Sequence, residues 1–530
     1  MASDDKKSFI RGAVILTMAA IFVKILSAVY RVPYQNIVGD VGFYIYQQVY
    51  PLYGIAVALS TYGFPVIISK LVAEKEGNHL HVGAITRLAF MMISGVGGVL
   101  FSITYFGAHT LAQYMGDTKL TTMIRIVAFS FLLMPFLAVW RGTFQGMGEM
   151  VPTAISQVVE QSVRVGAILL FSYMIIEKGY SLYVAGASAI ASSLAGSLAG
   201  VLILSFFIRK HYSPIKFGTL KKMRSHQREM RMLIVQGTAI CLSSMMLILL
   251  QLVDSLNLYN GLIQSGLGEL EAKVAKGIYD RGQPLLQLGT VAAVSLSLTL
   301  VPLVTAAFQK NQRQEVRMYM KLATKVSVTI GLAATVGLIN IMDAVNTMLF
   351  ENSEGSFVLS TFCLSILFSS VILTFSGVLQ SINKDIIPAL AVVIGVFVKY
   401  IGNTLLVPLY ETAGAAFSTV LALCVIALIL AIFLRRQLKV PLIQVAFLYK
   451  ALFAVSVMTV TLQIWRMGVL HLLPSYEIDR LQMSGLALSS VAIGAFTFIY
   501  TIIKMNLFTE EEWLQIPFGD KLKGFNRNKK

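Results

Sequence analysis

The chain has 530 residues, 56% of them hydrophobic and 13% charged, with a mean hydropathy of +0.74. A soluble protein would carry roughly a quarter charged residues, and here 43 Lys plus Arg against 26 Asp plus Glu leave a net charge of +17. This composition excludes a soluble enzyme, a nucleic-acid-binding protein and a disulfide-stapled secreted domain, and it confines the basic excess to loops and a few special sites.

Hydropathy windows of ~19 residues predict fourteen helices, over 9–37, 42–72, 83–112, 119–145, 151–177, 181–208 and 231–260, then 276–308, 315–349, 356–382, 385–409, 413–436, 446–473 and 480–504. Most exceed the ~20 residues that cross a bilayer, so they tilt or project from it. The first apolar run is too long for a signal peptide and has no small-residue cleavage site after it. The expected architecture is therefore an all-α polytopic membrane protein.

Loop charge sets an expected orientation. Lys70, Lys75 and Arg87 fall on one side, joined by the basic segment 209–231, by Lys310, Arg313, Arg317 and Lys321, by Arg435, Arg436 and Lys439, and by Lys521 to Lys530. The opposite connections, such as 351–355 and 411–414, are short and poor in Lys and Arg. Both termini are expected on the cytoplasmic side of the cytoplasmic membrane. The 209–231 segment reads as a topology signal that leans on anionic membrane lipid. The run from Phe508 reads as a short interfacial helix anchored by Trp513.

Two patterns recur at a common offset. Tyr46 precedes Pro51-Leu52, and Tyr279 precedes Pro284-Leu285; Gly142-Thr-Phe-Gln145 precedes Pro152, and Gly377-Val-Leu-Gln380 precedes Pro388. The offsets run from 233 to 236 residues, a shift of six spans, which predicts two parallel six-helix lobes facing one another. The expected division is a first lobe with its basic linker over 1–230, a second lobe over 231–440, and two extra helices with a tail over 441–530.

Ionisable residues in mid-span cost ~2.5–3.5 kcal/mol each on insertion scales, so those that persist should face a cavity or a partner. Lys24 and Arg31 lie seven apart, predicting one shared helix face, with Gln35 beyond. Helix five carries Gln157, Glu160, Gln161 and Arg164, and the four-residue spacing of Glu160 and Arg164 allows a pair within the helix. Gln251 and Asp254 lie on helix seven, Asp280 and Arg281 on helix eight, and Lys399 and Asn403 on helix eleven. Asp343, Arg125 and Arg141 sit near helix ends, where they should be solvated. Lys24, Arg31, Arg164, Arg281 and Lys399 are the expected substrate-binding residues: a positively biased cavity suits a diphosphate, whose oxygens guanidinium forks bind bidentately. Glu160 and Asp254 are the expected ion-coupling residues.

Cys241, Cys363 and Cys424 lie in apolar segments at spacings that suit neither disulfides nor zinc. The sequence has no Gly-x4-Gly-Lys-Ser/Thr loop and no His-Glu-x-x-His motif, so no enzyme, metal or cofactor is expected beyond a coupling Na+ or H+.

The runs Phe9-Ile-Arg-Gly-Ala, Arg31-Val-Pro, Gly39-Asp-Val-Gly42 and Gly63-Phe-Pro-Val-Ile-Ile-Ser-Lys-Leu-Val-Ala-Glu, with Ile278-Tyr-Asp-Arg-Gly-Gln-Pro284-Leu, resemble the polysaccharide-export proteins of Gram-positive bacteria. Those proteins belong to the multidrug/oligosaccharidyl-lipid/polysaccharide (MOP) exporter superfamily, near the MurJ-type lipid II flippases and the SpoVB branch. The resemblance covers helices one to twelve, and helices thirteen and fourteen match the MurJ-type number. It implies alternating access and translocation of an undecaprenyl-diphosphate-linked cell-wall or polysaccharide precursor. It further implies headgroup-binding cations at Arg31 and Lys24 on helix one and Arg281 on helix eight, and a lipid-tail groove on helices thirteen and fourteen. Where the family carries an arginine on helix two, this sequence has Gln47 and Gln48. Two other readings compete: a cation-coupled multidrug exporter of the MATE type, and a membrane scaffold for cell-wall synthesis enzymes.

Overall fold

The computed structural model describes residues 2–74, 79–211, 227–298, 300–438, 442–472 and 479–516, which form helices and short connections with no strand among them. The chain divides into two compact units, Met1–Asp280 with Lys399–Glu411, and Arg281–Val398 with Thr412–Lys530.

The first unit begins with α1 (Ala2–Val29), α2 (Arg31–Ala58), α3 (Phe64–Ala73), α4 (His79–Phe106) and α5 (Ala108–Tyr114). It continues with α6 (Thr121–Gly146), α7 (Met150–Glu177), α8 (Leu182–His211), α9 (Gln227–Arg231), α10 (Thr238–Ser244), α11 (Met246–Gln264) and α12 (Glu269–Asp280). The second unit holds α13 (Gly282–Leu298), α14 (Val301–Gln309), α15 (Arg313–Asn340), α16 (Met342–Phe350) and α17 (Ser356–Ser381). It also holds α19 (Val445–Leu472), α20 (Arg480–Lys504) and α21 (Glu510–Gln515), while α18 (Ile386–Leu438) contributes to both units.

Eleven helical stretches of the described residues are long and apolar enough to cross a membrane, so the protein is a multi-pass membrane protein. Two are far longer than one crossing needs: Val14–Ala73 with 60 residues and Ile386–Gln437 with 52. Each is broken at a single residue. Gly39 has φ 68° and ψ −179°, a region open essentially to glycine alone, and Glu411 has φ 51° and ψ −134°.

Prolines lie near some of the places where the predicted helices divide. Proline has no N–H and leaves the carbonyl four residues back unbonded. Pro33 withholds a bond from Val29, yet Tyr30 keeps helical φ −61° and ψ −24°, so the predicted helix 9–37 continues through it and ends at the Gly39 break. The predicted helix 276–308 becomes three pieces, with Pro284 near the break at Arg281 and Pro302 opening α14. Predicted 83–112 divides at Gly107 and predicted 231–260 at Met245, with no proline near either.

In the first unit, Ile67, Ile68 and Leu71 of α3, Ile85 and Ala89 of α4, Ala138 of α6 and Cys241 of α10 share one apolar core. Burying such side chains is worth about 1.5–3 kcal/mol each relative to water. Helix α8 packs along α7, and a Cβ at Gly196 would strike the Glu160 carbonyl oxygen. The small residue thus brings two backbones together, as in other membrane helix pairs.

In the second unit, Leu322 and Val326 of α15 pack with Phe447, Ala454 and Met458 of α19 and Phe498 of α20. Polar contacts fasten the same helices. Arg466 pairs with Asp343 at 2.8 Å, and Gln463 donates to the Asn340 side-chain oxygen at 2.9 Å. Asp343 is therefore ion-paired rather than merely solvated, and α19 and α20 are polar where they meet α15 and α16. The expected interfacial tail helix forms as α21, with a capping box between Thr509 and Glu512. Glu512 accepts from Lys325 at 2.6 Å, and the Trp513 ring lies 5.1 Å from Phe508, so Trp513 packs on the protein's own core.

Candidate functional site

Helix α2 places Tyr46, Tyr50 and Tyr53 at four- and seven-residue spacing, hence on one face. All three are buried, as are Tyr30 and Tyr34. Two arginines lie against this aromatic face. Arg31, at the start of α2, is fully buried with its guanidinium carbon 4.5 Å from the Tyr50 ring centre. Among the described residues, none of its three guanidinium nitrogens has a well-formed hydrogen bond.

Arg164 comes from α7. Its guanidinium donates to the Tyr30 hydroxyl at 2.7 Å, to the Tyr46 hydroxyl at 3.2 Å, to Gln161 Oε1 at 3.2 Å and to Ser193 Oγ at 3.3 Å. It also lies over the Tyr53 and Tyr50 rings, 4.7 and 5.6 Å from their centres. Cation–π contacts of this kind are worth ~2 kcal/mol when desolvated, and they leave the positive charge in place. No carboxylate is ion-paired with either arginine among the described residues. Two buried guanidinium groups sharing the Tyr50 ring form a place where an anion would satisfy donors that are otherwise desolvated at a loss.

The other buried cations of this unit are paired with acids. Arg141 of α6 is fully buried and ion-paired with Glu160 of α7, which also accepts from Ser197 at 3.1 Å. Arg141 further donates to Ser156 and Thr61, both at 3.0 Å. The expected pair within α7 is thus replaced: Glu160 turns to Arg141 across the α6–α7 contact, while Arg164 turns to the tyrosines. Arg141, expected to be solvated at a helix end, is instead a core residue, because α7 supplies its counter-charge.

A second acid-paired group involves the 399–411 segment of α18. Lys399 Nζ lies 2.7 Å from Asp254 Oδ1, and Asp254 also accepts from Asn403 at 2.9 Å and from Tyr279 at 3.0 Å. Beside it, Lys276 and Asp280 pair at 2.8 Å, both 1% exposed. Lys276 was not among the expected site residues, because the predicted helix began at that position. Its four-residue spacing to Asp280 was the available signal.

Lys24 is on an exposed stretch of α1 that also exposes Phe22 and Ile25, whereas Arg31, seven residues on, is buried. Arg281 belongs to the second unit, where it donates to Asn352 at 2.7 Å and Asn346 at 3.4 Å and lies over the Phe350 ring. Gln35 donates to Asp40 at 2.9 Å. The tyrosines around the two arginines were not among the expected site residues.

The chain matches the polysaccharide biosynthesis protein family over residues 9–308 and belongs to that family. It is 42% identical to the uncharacterised membrane protein YabM of Bacillus subtilis, over 98% of this chain and 97% of that protein. It is 24% identical to the lipid II flippase MurJ of the same organism over 98% of both chains, and 26% identical to its stage V sporulation protein B over 74% of this chain and 77% of that protein. Among solved structures, an inward closed lipid II flippase MurJ aligns with a TM-score of 0.64 at 14% identity, covering 93% of this chain and 99% of that one. An inward-facing multidrug MATE transporter of the MOP superfamily also aligns at 0.64, with 16% identity over 81% of this chain and 98% of that one. The fold is the one shared by MurJ and the MATE transporters.

Proposed function

We propose that this member of the polysaccharide biosynthesis protein family is a MOP-type exporter that carries a lipid II-like, undecaprenyl-diphosphate-linked cell-wall or polysaccharide precursor across the cytoplasmic membrane by alternating access. The observation that carries the reading is Arg31: a buried guanidinium with three unbonded nitrogens, sharing the Tyr50 ring with Arg164 and ion-paired with no carboxylate among the described residues. Arginine forks match diphosphate oxygens, and a diphosphate would supply the missing acceptors. In this reading the two overlong stretches each cross twice and the divided α13–α14 stretch adds one more crossing to the eleven apolar stretches, giving fourteen crossings in two six-helix lobes with two added helices, and both termini are cytoplasmic. Arg281 and Lys24 serve the same cargo along its path. A coupling Na+ or H+ acting at Asp254 would displace the Lys399 ammonium that now holds it.

The MATE-type alternative needs an acidic site for cationic drugs. Its two carboxylate candidates, Glu160 and Asp254, are both occupied by internal cations, which favours the anionic cargo. The test is complementation of a depleted strain by Arg31→Met and Arg164→Met at matched membrane levels. Loss of rescue, with a polyprenyl-diphosphate-linked sugar accumulating in the inner leaflet, is expected. Full rescue by both variants overturns the proposal.

A further inference from the structure

A cleft within the first unit shares no lining residue with the Arg31–Arg164 cluster. It is a cleft of about 330 Å³ between the end of α5, the last turns of α11 and the start of the 399–411 segment of α18. Its wall carries Tyr114, Asn257, Asn260, Tyr400, Asn403 and Thr404, and no charged side chain lines it. The volume falls at the lower end of the range for small-ligand sites, ~300–1,000 Å³.

The wall is built rather than incidental. Asn260 donates to the Tyr114 carbonyl oxygen at 2.8 Å and Asn257 to the Tyr400 carbonyl oxygen at 3.3 Å. Asn403 donates to Asn257 Oδ1 at 2.8 Å and to Asp254 Oδ1 at 2.9 Å. The Tyr114 and Tyr400 hydroxyls meet at 3.3 Å while their rings remain exposed. These bonds fix the side chains but leave one buried acceptor empty: Asn403 is 1% exposed and its Oδ1 has no partner.

The lining chemistry selects the occupant. A lipid tail would leave this row of amides desolvated at a loss. An anion would find no cation in the wall, and a cation would find no carboxylate. A neutral saccharide fits, because carboxamides and hydroxyls offer donors and acceptors together, as sugar hydroxyls require, and the Tyr faces suit the apolar face of a pyranose. We infer that this cleft is a subsite for the uncharged sugar portion of the cargo, with a sugar hydroxyl donating to Asn403 Oδ1. It lies at the end of α11 remote from the basic 209–231 segment, the outer end by the charge rule, where cargo departs. The inference rests on the proposed lipid-linked saccharide cargo.

The experiment uses the full chain in lipid nanodiscs, with polyprenyl diphosphate, the same lipid bearing a neutral disaccharide, and free cellobiose as probes. Asn260→Leu and the milder Thr404→Val should weaken binding of the glycosylated lipid about tenfold (~1.4 kcal/mol) and leave polyprenyl diphosphate within about twofold. Saturation transfer from the wild-type protein to cellobiose should be seen and should fall in both variants. Equal loss of both lipids, loss of neither, or no transfer to cellobiose in the wild type overturns the subsite. Cellobiose binding without polyprenyl diphosphate binding keeps the subsite and overturns the diphosphate reading instead.

Discussion

Arg141 and Arg164 are both fully enclosed arginines of the same helical unit, yet they are neutralised differently. Arg141 faces Glu160, with Ser156 and Thr61 completing its bonds. Arg164 faces tyrosine rings and hydroxyls, and its neighbour Arg31 lies against the Tyr50 ring with no well-formed guanidinium hydrogen bond among the described residues. An acid partner cancels a charge, whereas a phenol only shelters it. The first arrangement holds helices together. The second holds positive charge ready for something else.

Substitutions should separate the two arrangements. The largest effect is expected for Glu160→Ala, which strands the Arg141 charge and should cost ~3–5 kcal/mol of stability, read as a lowered unfolding midpoint in detergent. The double change Arg141→Met with Glu160→Leu should recover most of it. Lys399→Met should cost less, about 2 kcal/mol, because Asn403 and Tyr279 still donate to Asp254. Tyr30→Phe removes one bond to the Arg164 charge and should cost ~1.5 kcal/mol by the same assay. Arg31→Met should be neutral or slightly stabilising, within about 0.5 kcal/mol, while export is lost. A stability loss at Arg31 equal to that at Glu160 would erase the contrast.

Much of this was legible in the sequence, for reasons that also mark where it stopped. Charges inside apolar runs stand out, so Arg31, Arg164, Glu160, Asp254 and Lys399 were visible before any fold was known. Partner choice was not. Glu160 and Arg164 have helical spacing, but the approach of α6 decides that Glu160 bonds Arg141. Lys24 and Arg31 have helical spacing, but the packing of neighbouring helices decides that Arg31 is buried while Lys24 is exposed. Tyrosines are common in membrane helices, so the lining of the arginine cluster carried no distinctive signal until α2 and α7 were seen together. The break at Glu411 falls between the predicted spans 385–409 and 413–436, where hydropathy also places a connection.

The sheltered arginines also have an electrical consequence. Arg31 and Arg164 place two positive charges, uncancelled by any carboxylate partner, inside segments that cross the lipid. A charge carried through the full field changes its energy by ~2.3 kcal/mol per 100 mV. Any displacement of this pair along the membrane normal is therefore work done by or against the voltage, and a dianionic cargo seated between them would make the loaded carrier electrically silent where the empty one is not.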